Sequence, residues 1–294
     1  MKQSSKILAA AGTLCLCLTA PAFAGSVTQP GETVGVAAGA PLPPGFYFVN
    51  TGDWGCRNTS PDSTCAGVDI PVVAWSTPWT LLGARLQFLV ATPVIESSSR
   101  TNNVSGIYNP LFSGMLAWDL GNGFGFSYLL GAYIRENSDV AFHSTSLNQR
   151  FALSYTGNGW NLTANAILGN QLDSVTNCNP VVSVGTCGIN PNFLNVDLTA
   201  TKKFGKWEIG PVGFYSTDLN SPLPGYQKQS QFAVGGLVGY DFGPVILQAY
   251  LTTDVYEKNY GGHDTRIWGR VIIPLGNPFA TASAVPYPSK APLK

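Results

Sequence analysis

The chain has 294 residues, a formal net charge of zero, 45% apolar residues and only 11% charged ones. That balance offers no basic field for nucleic acid. It also leaves too little charge for a soluble surface of this size, where about a quarter of residues are usually charged. Beyond the first residues, no segment reaches the roughly 18 uninterrupted apolar positions of a membrane helix.

Residues 1–24 read as an export signal. Lys2 and Lys6 give a positive start, residues 7–20 are apolar, and Ala22-Phe23-Ala24 is a small-x-small cleavage site. The mature chain is therefore expected to begin at Gly25. Cys15 and Cys17 lie in the apolar stretch, each after a Leu, which argues against lipoprotein processing. Residues 25–43 are polar, rich in Gly and Pro, and without a strand period. They either fold as a plug into the lumen of a barrel or hang free in the periplasm.

From residue 44 to 276 the pattern changes to strands. Over residues 194–203, Asn195, Asp197, Thr199, Thr201 and Lys203 alternate with Leu194, Val196, Leu198 and Ala200. Residues 160–171 and 245–255 alternate in the same way, and so does 84–94, where Arg85 and Gln87 oppose Leu86, Phe88 and Val90. Gly-marked turns recur at Leu120-Gly121-Asn122-Gly123, Thr156-Gly157-Asn158-Gly159, Phe204-Gly205-Lys206 and Phe242-Gly243-Pro244. Longer polar loops lie between them. Tight turns at one end and long loops at the other predict an all-β fold, an antiparallel up-and-down transmembrane β-barrel of about 12 strands. Its strands are expected near 44–54, 67–77, 84–95, 106–119, 124–136, 145–156, 160–171, 193–203, 207–219, 230–241, 244–256 and 264–275. Residues 277–294 form a C-terminal periplasmic tail in this reading. Trp75, Trp79, Trp118, Trp160, Trp207 and Tyr240 fall near the tight turns, as an aromatic girdle at the headgroup level requires. Core aromatics of a soluble β protein are the alternative.

The alternation turns Arg85, Arg135, Arg150, Asp197, Lys203, Glu208, Asp254, Arg266 and Arg270 inward. Arg85, Arg150, Arg266 and Arg270 are candidates for a constriction, with Asp197 and Asp254 as partners across the lumen, since rings of charge set selectivity in pores. The bland alternative is that such residues fill and cross-link a narrow interior.

Four cysteines remain after the signal: Cys56, Cys65, Cys178 and Cys187. They allow three pairings. The local pairs Cys56–Cys65 and Cys178–Cys187 are favoured in an oxidising compartment because short loops close easily. A zinc site is disfavoured by the spacing and by the lack of a nearby His, so no metal is expected. His143 beside Ser144, with Ser146, Glu136 and Asp139 close in sequence, is the one arrangement that a barrel lipid hydrolase would need. Chance accounts for it as well. Gly121-Asn122-Gly123-Phe124-Gly125 is a hairpin turn and not a phosphate loop, because no helix succeeds it.

Pro41-Leu42-Pro43-Pro44-Gly45-Phe46-Tyr47-Phe48-Val49-Asn50 resembles the entry to the first strand in the SphA / phenol MetA-pathway degradation family of bacterial outer-membrane β-barrel proteins. Thr77-Pro78-Trp79 with Leu82-Gly83, Asn109-Pro110-Leu111 leading to Ala117-Trp118, and Tyr240-Asp241-Phe242-Gly243 match the same family in order and spacing. The likeness runs from about residue 39 to 275. Tyr108-Asn109 stands where the family has Gly-Asp, and the cysteine loops are not a family feature. The resemblance implies a barrel that admits aromatic or other hydrophobic compounds.

The expectation is therefore a porin-like protein of the bacterial outer membrane. It serves as a channel or uptake protein for small hydrophobic or aromatic solutes, without a cofactor and without catalysis. Its partners are outer-membrane lipid, the solute and the outer-membrane assembly machinery. A non-transporting surface barrel is the alternative, and the lipid hydrolase a more distant one.

Overall fold

The computed structural model describes residues 25–99, 103–172, 190–222 and 224–277. The signal of residues 1–24, the Cys178–Cys187 pair and the tail beyond residue 277 lie outside the described residues. The strands, in chain order, are β1 (Gly45–Arg57), β2 (Thr64–Leu81), β3 (Ala84–Ala91), β4 (Val94–Ser98), β5 (Asn103–Ile107), β6 (Leu111–Gly121), β7 (Phe124–Tyr133), β8 (Ser146–Tyr155), β9 (Trp160–Gln171), β10 (Phe193–Phe204), β11 (Trp207–Asp218), β12 (Ser230–Asp241), β13 (Ile246–Lys258) and β14 (Asp264–Gly276).

All neighbours pair antiparallel, and β1 pairs with both β14 and β2, so the sheet closes on itself. Twelve strands form the ring, and β4 and β5 are an added hairpin. The expected strands 84–95 and 106–119 are each broken. β3 pairs with the lower part of β2, from Val72 to Leu81, while β4 pairs with Cys65 to Asp69 of the same strand. β5 pairs with β4, and β6 with β3. The breaks fall at Thr92-Pro93 and at Tyr108-Asn109-Pro110, where proline supplies no N–H to the ladder.

Tight turns at one end take the positive backbone angles that Asn-Gly favours, as at Asn122 (φ 53°) and Gly123 (φ 85°). Around them the outer surface carries exposed Trp79, Trp160, Trp207 and Phe242. Trp207 lies 4.8 Å from Tyr240, and Tyr240 lies 4.6 Å from Phe242. Outward positions further along are apolar, with Leu198 39% exposed while its neighbours Asp197 and Thr199 are buried inside. Apolar outside and polar inside is the arrangement a lipid solvent selects in a closed barrel.

Cys56 and Cys65 face each other across β1 and β2 at the long-loop end and are disulfide-bonded. Mass spectrometry of unreduced protein is expected to show this link within one peptide pair. Free thiols at both positions would contradict it.

Residues 25–43 run inside the barrel. Bonds from Glu32 N to Gln29 O, Val34 N to Gly31 O, Val36 N to Thr33 O and Ala40 N to Ala37 O fold the segment into successive turns. Several of its other backbone groups are taken by the wall. Gly39 and Gly125 touch backbone to backbone near the tight-turn end: a Cβ on Gly125 would lie 2.7 Å from Gly39 O. Only glycine permits that approach.

Candidate functional site

The candidate site is the lumen, and the wall around it has two kinds of surface. β8 to β13 present mostly polar side chains that hold the segment. Asp197 accepts from Gly31 N and Thr33 N, both at 2.9 Å, and from Thr33 Oγ1 at 2.6 Å. Asn161 and Gln248 both donate to Gly35 O, at 3.0 and 3.1 Å, and Gly35 N donates to Thr199 Oγ1 at 2.8 Å. Asn148 donates to Thr28 Oγ1, and Asn195 to Thr28 O. A buried segment without secondary structure must find partners for its backbone, and these side chains supply them.

β1 to β3 with β6 and β7 present an apolar surface instead. Between it and the segment lies an inner cavity of about 220 Å³, lined by Val72, Leu89, Leu111 and Leu129 of the wall and by Val36 and Leu42 of the segment, among others. Toward the long loops lies an outer cavity of about 110 Å³, lined by Val68, Ile95, Tyr108, Tyr260 and Arg266 among others. Glu32, Ile70 and Tyr133 line both. Arg150 reaches the same place: its Nη1 lies 2.7 Å from Glu32 Oε1, Nη2 donates to the Tyr133 hydroxyl at 3.2 Å, and Nε donates to Asn148 Oδ1 at 2.8 Å. The Glu32–Arg150–Tyr133 cluster is thus a polar partition between the two cavities.

The inward charges do not form one ring. Arg150 pairs with Glu32 of the segment, a residue that strand periodicity could not place. Arg270 donates to the carbonyls of Glu32 and Val34 and to Gln248 Oε1, and lies over the Tyr250 ring. Glu208 takes Thr201 Oγ1 and Gln248 Nε2. Arg266 and Asp254 belong to a second cluster near the long-loop end. There Arg266 pairs with Asp53 and with Asp264, at 3.0 Å for the latter, and Arg57 pairs with Asp254 at 3.1 Å. Among the described ion pairs, none joins Asp197 or Asp254 to an arginine that the sequence suggests for it; the partner of Asp254 is Arg57, which strand alternation does not single out. Arg85 faces inward at the tight-turn end and donates to Thr77 O at 3.2 Å. Arg135 is a correction: β7 ends at Tyr133, and Arg135 is exposed in the loop after it. Lys203 is exposed at the tight-turn rim.

That loop, residues 134–145, folds over the mouth. Val140, Ala141 and Phe142 are buried in one cluster with Val27, Ile95 and Tyr108. Asn109 holds the loop, since its Nδ2 donates to Ile134 O and Phe142 O and its Oδ1 accepts from Phe142 N. His143 Nε2 lies 3.4 Å from Ser138 O, while Ser144 donates to Gln171 and Ser146 to Asn170 O. The described bonds of these hydroxyls lead away from the imidazole, which is not the geometry of a nucleophile with its base.

A family model described as "Putative MetA-pathway of phenol degradation" matches residues 45–271. Among solved structures, an outer membrane channel from Pseudomonas putida F1 is similar at 14% identity, covering 84% of this chain and 99% of that one, with a TM-score of 0.59. The β domain of the Bordetella autotransporter BrkA is similar at 11% identity, covering 79% of this chain and 100% of that one, with a TM-score of 0.51. At identities this low, the likeness shows a shared β-barrel fold alone. No curated protein matches the chain.

Proposed function

The chain belongs to the family described as the putative MetA-pathway of phenol degradation, and from that premise we propose that its barrel is an uptake channel for small hydrophobic or aromatic solutes. Residues 25–43 serve as a plug that closes the lumen to ions and polar solutes. An apolar solute passes beside the plug, from the outer cavity to the inner one, by way of the Glu32–Arg150–Tyr133 partition.

One observation carries this reading. The wall of β1 to β3 with β6 and β7 keeps an apolar surface facing the plug, and the inner cavity between the two measures about 220 Å³. An apolar cavity of about 150 Å³ stays dry and accepts benzene, so the size suits a compound of one aromatic ring with small substituents. Arg150 and Tyr133 at its edge meet a hydroxyl or carbonyl on such a compound. Polar solutes gain nothing from this surface and lose their hydration.

Leu129 is buried and lines the inner cavity. Leu129→Trp is expected to cut uptake of a one-ring aromatic by intact cells about tenfold, with the assembled amount of protein unchanged, because an indole is close in size to the solute itself. Uptake equal to that of the unsubstituted protein would remove the cavity from the path and favour the surface-barrel alternative.

A further inference from the structure

The upper tip of the lumen segment ends against a carboxylate. Gly25 lies at the long-loop end beside Asp218, the last residue of β11. A Cβ built on Gly25 would fall 2.4 Å from Asp218 Oδ1 and 2.5 Å from Pro191 Cγ. The Gly25 backbone is therefore in contact with both residues, and bond lengths place its α-nitrogen within about 5 Å of the same oxygen. The other oxygen of Asp218 is already engaged: Oδ2 accepts from the Tyr226 hydroxyl at 2.7 Å and from Gln229 N at 2.8 Å. Burial, and then the neighbouring carboxylate, push the Tyr226 phenol far above its ordinary range, so it remains a donor. Just below the tip, Asn195 Nδ2 donates to Ser26 Oγ at 2.9 Å, and Ser26 Oγ donates to Thr28 O at 2.6 Å. The tip is thus held while Asp218 Oδ1 faces the position where the mature chain is expected to begin.

We propose that Asp218 is the binding site for the α-ammonium group that signal cleavage creates on Gly25, so that processing itself completes the seating of the lumen segment. In the precursor the Gly25 nitrogen is a neutral peptide amide. Hydrolysis of the Ala24–Gly25 bond adds one water, leaving a carboxylate on Ala24 and an amine on Gly25 that takes up the proton. That amine has an ordinary pKa of about 8, so it is charged at neutral pH. A charged donor facing a partly buried carboxylate forms a charge-assisted hydrogen bond stronger than any the amide could make. The crowding also explains the residue type, since any side chain at position 25 would collide with Asp218 and Pro191. The inference concerns how the segment is anchored and holds whatever the solute is.

The test uses the full-length protein expressed and exported in cells. Intact cells are treated with a membrane-impermeant aldehyde that labels α-amines, and the N-terminal peptide is read by mass spectrometry. The peptide is expected to begin at Gly25. Its labelling in the folded protein should be about tenfold slower than after denaturation, the factor expected of one good ion pair. Asp218→Asn removes the charge, and Gly25→Ala removes the room while leaving the cleavage site intact. Both are expected to restore fast labelling. Tyr226→Phe keeps the carboxylate and should stay slow. Should Asp218→Asn fail to assemble, Gly25→Ala carries the test alone. A mature terminus elsewhere, fast labelling of the unsubstituted protein or of Tyr226→Phe, or slow labelling in both other variants would overturn the proposal.

Discussion

Deleting residues 26–40 is expected to raise the single-channel conductance of the reconstituted protein about tenfold or more, because a barrel of this size is wide enough for water once its filling is removed. The intact protein should conduct little. Its interior is crossed by a segment tied to the wall at Asp197, Thr199, Asn161, Gln248 and Arg270. The wall should still close without that segment, since every ring strand pairs with two neighbours through its own backbone. The polar residues that grip the segment would then be met by water, which satisfies them equally well. Unchanged conductance on deletion would mean that the side chains of the wall alone seal the lumen.

The two faces of β10 should fail in different ways. Leu198 points to lipid at mid-strand, between Ala164 and Gly213. Leu198→Arg should cost about 2–4 kcal/mol if the site lies near the bilayer midplane, and the heat-modifiable folded form should largely disappear. Asn195 points inward, is fully buried, and holds both Ser26 and Thr28 while accepting from Ser216. Asn195→Ala should leave the folded form intact on cold gels and add flickering current, because it frees the segment's tip and not the wall. Equal loss of folded protein from both substitutions would contradict the assignment of faces.

The residues differ in how plainly the sequence reveals them. The alternation of Asn195, Asp197 and Thr199 with Leu194, Val196 and Leu198 is legible because a pleated strand turns successive side chains to opposite faces. The tight turns are legible through Asn-Gly, and the Cys56–Cys65 link through its short loop. The breaks at Pro93 and Pro110 are marked by proline but masked by the apolar run on either side. The partner of each inward charge is not legible. Glu32 lies in a segment with no period, so nothing in the sequence brings it to Arg150. Arg57 sits at the end of β1, where the strand extends beyond the 44–54 expected of it. Arg135 reads as inward only when the alternation is continued two residues past the true end of β7. The apolar side of the lumen is hidden too, because Val72, Leu89, Leu111 and Leu129 look like any other apolar residues of a strand until the barrel closes and the segment takes the opposite wall.

The claim that solute passes beside a seated plug can be tested by fixing the plug in place. Asn148 Nδ2 lies 3.1 Å from Thr28 Oγ1, and neither residue is among those lining the two cavities. Thr28→Cys with Asn148→Cys, joined by a short reducible cross-linker, would hold the segment to β8. Uptake of a one-ring aromatic by cells carrying this variant should be the same before and after cross-linking, with conductance low throughout. Uptake that stops on cross-linking and returns on reduction would show that the segment must leave the lumen, and would contradict a path alongside it.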